Sequence, residues 1–156
     1  MVEALRNLPV RGADLMQVQR WVMFDYLIGN AGAHGKNLSV LVKDKGYRLA
    51  PFYDLLCVKA YGDDGLALFI GDEETFTAVG AHSWKALCKD CGFGLPETLE
   101  GFRKMAQDYL AAWRKEPDRT VLDNQTTAAE AAVVERITQV FQAHTANALF
   151  MSEGMA

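Results

Sequence analysis

The chain has 156 residues, the length of one ordinary domain, and half of them are hydrophobic, enough for a real core. A net charge of -4 and a pI of about 5.3 exclude a broadly basic surface, and with it sequence-independent binding to DNA or RNA. No apolar run reaches the length of a membrane span, the N-terminus has no signal-peptide core, and three cysteines are an odd count. The expectation is a cytoplasmic protein without a disulfide framework.

Residues 1–13 hold Pro9 and Gly12 and read as a lead-in, with Asp14 as the N-cap of the first helix. From Leu15 to Ile28, apolar residues occupy much of a helix's circumference, so this helix is expected to be largely buried. Gly29 and Asn30 end it, and a polar loop comes next. Leu38 to Val42 and Tyr47 to Leu49 flank a tight turn at residues 43–46, which predicts a β-hairpin. Pro51 disfavours helix just before it, and Leu66 to Ile70 reads as a short strand. The remainder reads as helix. One starts at His82 or Ser83 and turns Trp84, Leu87, Cys88 and Cys91 to one side. A second opens at Pro96, with Leu99, Phe102, Met105, Tyr109 and Trp113 inward. Pro117 and Asp118 break the chain, and a long helix from about Thr127 to Phe150 carries Val133, Val134, Ile137, Val140, Phe141 and Ala148 on one face. The prediction is one mainly α-helical domain with a small hairpin beside its polar loop.

That loop, GNAGAHGKN at residues 29–37, has the glycines and the lysine of a phosphate cradle. A Walker loop, however, needs Ser or Thr after its Gly-Lys and runs from strand to helix. Here Asn37 follows Gly35-Lys36, and the loop runs from helix to strand, so both that motif and the dinucleotide fingerprint fail. Cys88-x-x-Cys91 supplies only half of a zinc site and continues the apolar stripe of its helix, so a buried thiol pair is expected. Two readings of the loop remain open on spacing. In one, it is a turn capped by asparagines, with Asp54 capping a helix. In the other, it is a kinase catalytic loop, in which a basic carboxylate precedes a metal-binding Asn by five residues and a second metal-binding Asp follows a hairpin. Asn37 and Asp54 suit the latter two positions. Counting back five residues from Asn37 reaches Gly32, so the carboxylate is absent.

Two separated motifs carry a family resemblance. Leu27-Ile28-Gly29-Asn30-x-x-x-His34-x-Lys36-Asn37-x-Ser39, followed by Leu49-Ala50-Pro51-x-Tyr53-Asp54-Leu55, resembles the HipA family of serine/threonine kinases, which includes toxins of bacterial toxin–antitoxin modules. The match runs over roughly residues 14–115, and the expected domain spans 14–151. The resemblance implies a helical kinase C-lobe whose hairpin carries the catalytic-loop region. It implies Asn37 and Asp54 as Mg²⁺ ligands, Lys36 beside the transferred phosphate or nucleotide, and His34 and Asn30 bracing the loop, with Asn30 and Lys36 on the cofactor side. ATP and Mg²⁺ are the implied cofactors. Gly32 stands where the family has its catalytic Asp, and the residues ahead of position 14 leave no room for an N-lobe. Losing a general base costs about 10²–10⁴-fold in rate. The chain is therefore expected to be inactive alone, or to be one half of a split kinase that meets a separate N-lobe subunit. The alternative is a non-catalytic helical interaction module that binds an antitoxin or another protein.

Overall fold

The computed structural model describes residues 12–44, 46–115 and 127–153. Helix α1 covers Gly12–Ile28, and the hairpin strands β1 and β2 cover Val40–Lys43 and Gly46–Leu49. Strands β3, Gly65–Ile70, and β4, Glu73–Thr75, come after them. The chain closes with α2, Ala81–Cys91, α3, Leu95–Lys115, and α4, Ala128–Glu153. Mainly helical architecture with an antiparallel hairpin over β1 and β2 is as the apolar spacing predicts. The break expected at Pro117 and Asp118, and most of the lead-in, lie outside the described residues.

Helix α1 is the central element because its second half is apolar on every side but for Asp25. Trp21, Val22, Met23, Tyr26, Leu27 and Ile28 are all buried, and α3 and α4 both pack on it. Tyr26 is the hub of this core. Trp84 and Phe102 meet its ring edge-on at 5.7 and 5.9 Å, and His144 stacks on it at 4.8 Å. Aromatic pairs of this kind add about 0.5–1.5 kcal/mol each beyond the area they bury. The Tyr26 hydroxyl is satisfied by Asn147 Nδ2 at 2.7 Å, so its burial leaves no polar atom stranded. His144 places Nδ1 at 2.6 Å from the Tyr26 carbonyl, and burial drives its pKa down to about 4. A neutral imidazole donating to that carbonyl accounts for both.

The structure corrects several expectations. Helix α1 starts before Asp14, so Asp14 is not its N-cap. Asp14 instead accepts from Leu49 N at 3.4 Å and pairs with Arg48 at 3.7 Å, tethering the hairpin to α1. A second hairpin exists, because β4 pairs antiparallel with β3. Its Glu73-Glu74-Thr75 is too short and polar to read as a strand. Helix α2 begins at Ala81, and the Ser83 hydroxyl caps it by accepting from Gly80 N at 3.0 Å. Helix α3 begins one residue before Pro96. Cys88 and Cys91 are buried free thiols, as their place on the apolar stripe predicts, and Cys88 donates to Thr98 Oγ1 at 3.3 Å. Burial pushes the Cys88 pKa up, which keeps it a thiol rather than a thiolate.

Candidate functional site

The loop begins where α1 stops, and the stop is built from backbone. Gly29 takes φ +71°, a left-handed conformation that glycine adopts without strain. Its N–H bonds to Tyr26 O at 3.1 Å, and the Asn30 N–H bonds to Asp25 O at 2.9 Å, so two of the helix's four orphan carbonyls are satisfied in a Schellman arrangement. The position also needs glycine for space, since a Cβ there would lie 2.7 Å from Val140 Cγ1 on α4. The loop then folds through short turns, among them Ala33 N to Asn30 O and Asn37 N to His34 O, ending in one 3-10 turn at Gly35–Asn37.

The hairpin returns the chain to this loop. Val40 pairs with Leu49 and Lys43 with Gly46, and Ala50 N bonds to Ser39 O at 2.8 Å just beyond the ladder. Phe52 then stacks on Trp21 of α1, and the Tyr53 hydroxyl donates to Lys36 O at 3.2 Å. These contacts carry Asp54 to Asn37. The Asn37 amide nitrogen lies 2.6 Å from Asp54 Oδ2. Asn37 is buried, whereas Asp54 is exposed and takes φ +60°. The 3-10 turn that follows, at Val58–Tyr61, has Cys57 at its N-cap, which removes the reading in which Asp54 caps a helix.

Asn30 joins the two arms from below. Its amide nitrogen donates to Asp25 Oδ1 at 2.9 Å and to the Asp54 carbonyl at 3.0 Å, while its oxygen accepts from Gly32 N at 3.2 Å. Asn30, Gly32, Asn37 and Asp54 thus form one hydrogen-bonded unit. His34 and Lys36 lie on the same loop with exposed side chains outside that unit, and His34 braces the loop through its backbone, its N–H donating to Gly32 O at 2.7 Å and its carbonyl accepting from Asn37 N at 2.9 Å. Gly32 is outside the left-handed region, and a Cβ there would meet nothing nearer than Asn30 Oδ1 at 3.6 Å. Neither backbone nor space demands glycine at that position. The residue that sequence reading missed is Asp25, which is buried and whose pKa is raised to about 7, chiefly by desolvation. Its signal was an acidic residue inside an otherwise apolar stretch.

The donors fit a hard cation in part. One carboxylate and one amide are oxygen donors of the kind Mg²⁺ takes alongside water and phosphate oxygens. Among the described residues, no group of three or more His, Cys, Asp or Glu side chains is placed to hold a metal ion. Asn37 and Asp54 thus offer one amide and one carboxylate side by side, fewer donors than a metal ion takes on its own.

The HipA-like C-terminal domain family model matches residues 1–113. The chain belongs to that family. HipA of Shewanella oneidensis, named a serine/threonine-protein kinase toxin, is 38% identical over 96 residues, covering 60% of this chain and 21% of that protein. Y4mE of Sinorhizobium fredii is 40% identical over 97 residues, covering 60% of this chain and 23% of that protein. A solved HipA chain, from a complex of Shewanella oneidensis HipA and HipB with their operator DNA, superposes with a TM-score of 0.75. It is 26% identical and covers 86% of this chain and 32% of that one. The HipA-like chain is thus similar to roughly a fifth to a third of these longer proteins, and it shares the fold of a kinase.

Proposed function

We propose that this HipA-like chain carries the metal-and-phosphate end of a serine/threonine kinase, derived from a toxin module, with its catalytic base replaced by Gly32. The observation that carries the reading is the meeting of Asn37 and Asp54 across the hairpin at 2.6 Å. In this reading Asn37 and Asp54 hold Mg²⁺ together with the phosphates of ATP. When bound, the ion neutralises charge on the phosphates. Asn30 keeps the loop and the Asp54 segment in register, and Lys36, exposed on the loop, attracts the transferred phosphate or the substrate. His34 holds the turn that presents Lys36. The conformational freedom of glycine is not used at position 32, which favours the view that a side chain is missing there. Without a base, and with only a fifth to a third of the related proteins' length represented, the chain alone is inactive in transfer and binds Mg²⁺ and ATP weakly.

A second reading rests on the exposed apolar side chains beside the site, Tyr53, Leu55 and Leu56. There the domain is an interaction module in the cytoplasm whose partner is an antitoxin-like protein. Phosphate transfer from radiolabelled ATP separates the two. The wild-type chain is expected to transfer none. The Gly32→Asp variant is expected to gain transfer to a serine or threonine when the N-terminal part of a HipA kinase is supplied, and to lose it again in Gly32→Asp with Asp54→Asn. A correctly folded Gly32→Asp variant that stays silent with that part present would leave the interaction module as the better reading.

A further inference from the structure

Asp25 has no reason to be where it is if α1 is only a packing element. It lies in the last turn of the helix, where the macrodipole disfavours a negative charge, and no basic residue shares that turn. It is 4% exposed, its Oδ2 has no hydrogen-bond partner among the described residues, and burying a carboxyl in that condition is costly. The helix stop does not need its side chain, because the backbone bonds of Gly29 to Tyr26 O and of Asn30 to Asp25 O already close the turn.

What the side chain does is hold Asn30. Asp25 Oδ1 accepts one proton of the Asn30 amide, and the other goes to the carbonyl of Asp54. With Asn30 Oδ1 taken by Gly32 N–H, the amide is committed at both ends. A free amide turns about its last torsion, whereas one anchored by a buried carboxyl does not. Asp54 is the residue that most needs a fixed backbone. Its φ of +60° costs a non-glycine residue about 1–2 kcal/mol, and its carbonyl has the Asn30 amide as donor.

We infer that Asp25 is a positioning residue for this site, setting through Asn30 both the loop at Gly32 and the backbone of Asp54. It is not a catalytic residue, since a carboxyl this buried touches no substrate hydroxyl. The inference deepens the proposed kinase function and rests on it for the metal.

The test uses the full chain, isotope-labelled for NMR, with Mn²⁺ alone as probe. The variants are Asp25→Leu, which keeps the volume and removes the acceptor, Asp25→Asn, which keeps an acceptor, and Asn30→Ala, which cuts the same joint from the other side. Without metal, Asp25→Leu and Asn30→Ala are expected to shift the Asn37 side-chain amide and the Leu55 backbone amide, and Asp25→Asn to leave them near their wild-type positions. With Mn²⁺, broadening around Asn37 and Asp54 is expected to need roughly 10–100-fold more metal in Asp25→Leu and Asn30→Ala, the usual loss when a residue behind a metal ligand is removed. Asp25→Asn is expected to stay close to wild type. A merely structural role lowers stability without this pattern. If folded Asp25→Leu keeps both the amide positions and the Mn²⁺ midpoint, the inference is overturned. If Asp25→Leu does not fold, Asn30→Ala decides by the same readings. If the wild-type chain shows no broadening at all, the metal reading fails by itself, and the metal-free spectra decide the role of Asp25.

Discussion

Two buried residues pull the pH dependence of this protein's stability in opposite directions. Burial raises the Asp25 carboxyl from 3.8 to about 7, although its bond to Asn30 opposes the rise. Burial lowers the His144 imidazole from 6.5 to about 4. For Asp25 the folded chain keeps a proton that the unfolded chain has released. That contribution to stability is full below the unfolded pKa of 3.8 and is lost as the pH rises to about 7. For His144 the unfolded chain binds the proton instead. Its contribution is full above the unfolded pKa of 6.5 and is lost as the pH falls to about 4. The two slopes oppose each other over nearly the same window, so they largely cancel in the wild-type chain. Replacing Asp25 by Asn removes one of them. The variant is expected to gain roughly 2–3 kcal/mol of stability between about pH 4 and 6.5, while the wild type stays nearly flat over that range. Urea midpoints measured at a series of pH values check this. Parallel curves for the two chains would mean that Asp25 titrates normally in the folded protein.

At the scale of elements, the joint between α1, its loop and α4 is where packing and site geometry meet. Gly29 sits in that joint with φ +71°, and its missing Cβ would press on Val140 at 2.7 Å and Lys59 at 3.1 Å. Gly29→Ala is therefore expected to destabilise the chain by roughly 2–4 kcal/mol, from left-handed strain plus overpacking. Gly32→Asp, three residues on, is expected to change the urea midpoint little, because position 32 has room and an ordinary backbone. Equal effects of the two substitutions would contradict this picture of the loop. The contrast was invisible in the sequence, where the glycines look alike. What was legible came from periodicity: the helices and the first hairpin follow from apolar spacing, and Asn37 and Asp54 from two motifs at a fixed separation. Strand β4 was not legible, because Glu73-Glu74-Thr75 carries no apolar alternation and is a strand only by pairing with β3. His144 and Thr145 face the core within a helix whose inward face was read from aliphatic residues and Phe141 alone. Asp25 was passed over because its partner is Asn30, five residues later, and Asn30 in turn reaches Asp54 across the hairpin, a link that only the fold makes.

At the scale of the molecule, the site is open on a side that carries apolar surface. Single exposed apolar residues are ordinary, but Tyr53 at 47%, Leu55 at 39% and Leu56 at 58% exposure flank Asp54 within four residues. Leu55 also lines an apolar groove with Trp21, Phe24, Phe52 and Met105. The chain corresponds to 32% of the solved HipA chain, so in the kinase reading this surface is covered by protein from the remaining part, which also brings the nucleotide to Asn37 and Asp54. Leu56 is the residue with which to test that. Its exposure means that Leu56→Asp should alter stability by no more than about 0.5 kcal/mol. A charge placed in a covered apolar contact is costly, however, because it leaves water without a partner. In a Gly32→Asp background supplied with the N-terminal part of a HipA kinase, adding Leu56→Asp is expected to abolish both association and phosphate transfer, with the melting temperature unchanged. Association is read by analytical ultracentrifugation and transfer by radiolabelled ATP. Transfer that persists with Leu56→Asp in place would show that the covering protein does not sit on this surface. Loss of transfer with association intact would place Leu56 in the path of the substrate instead.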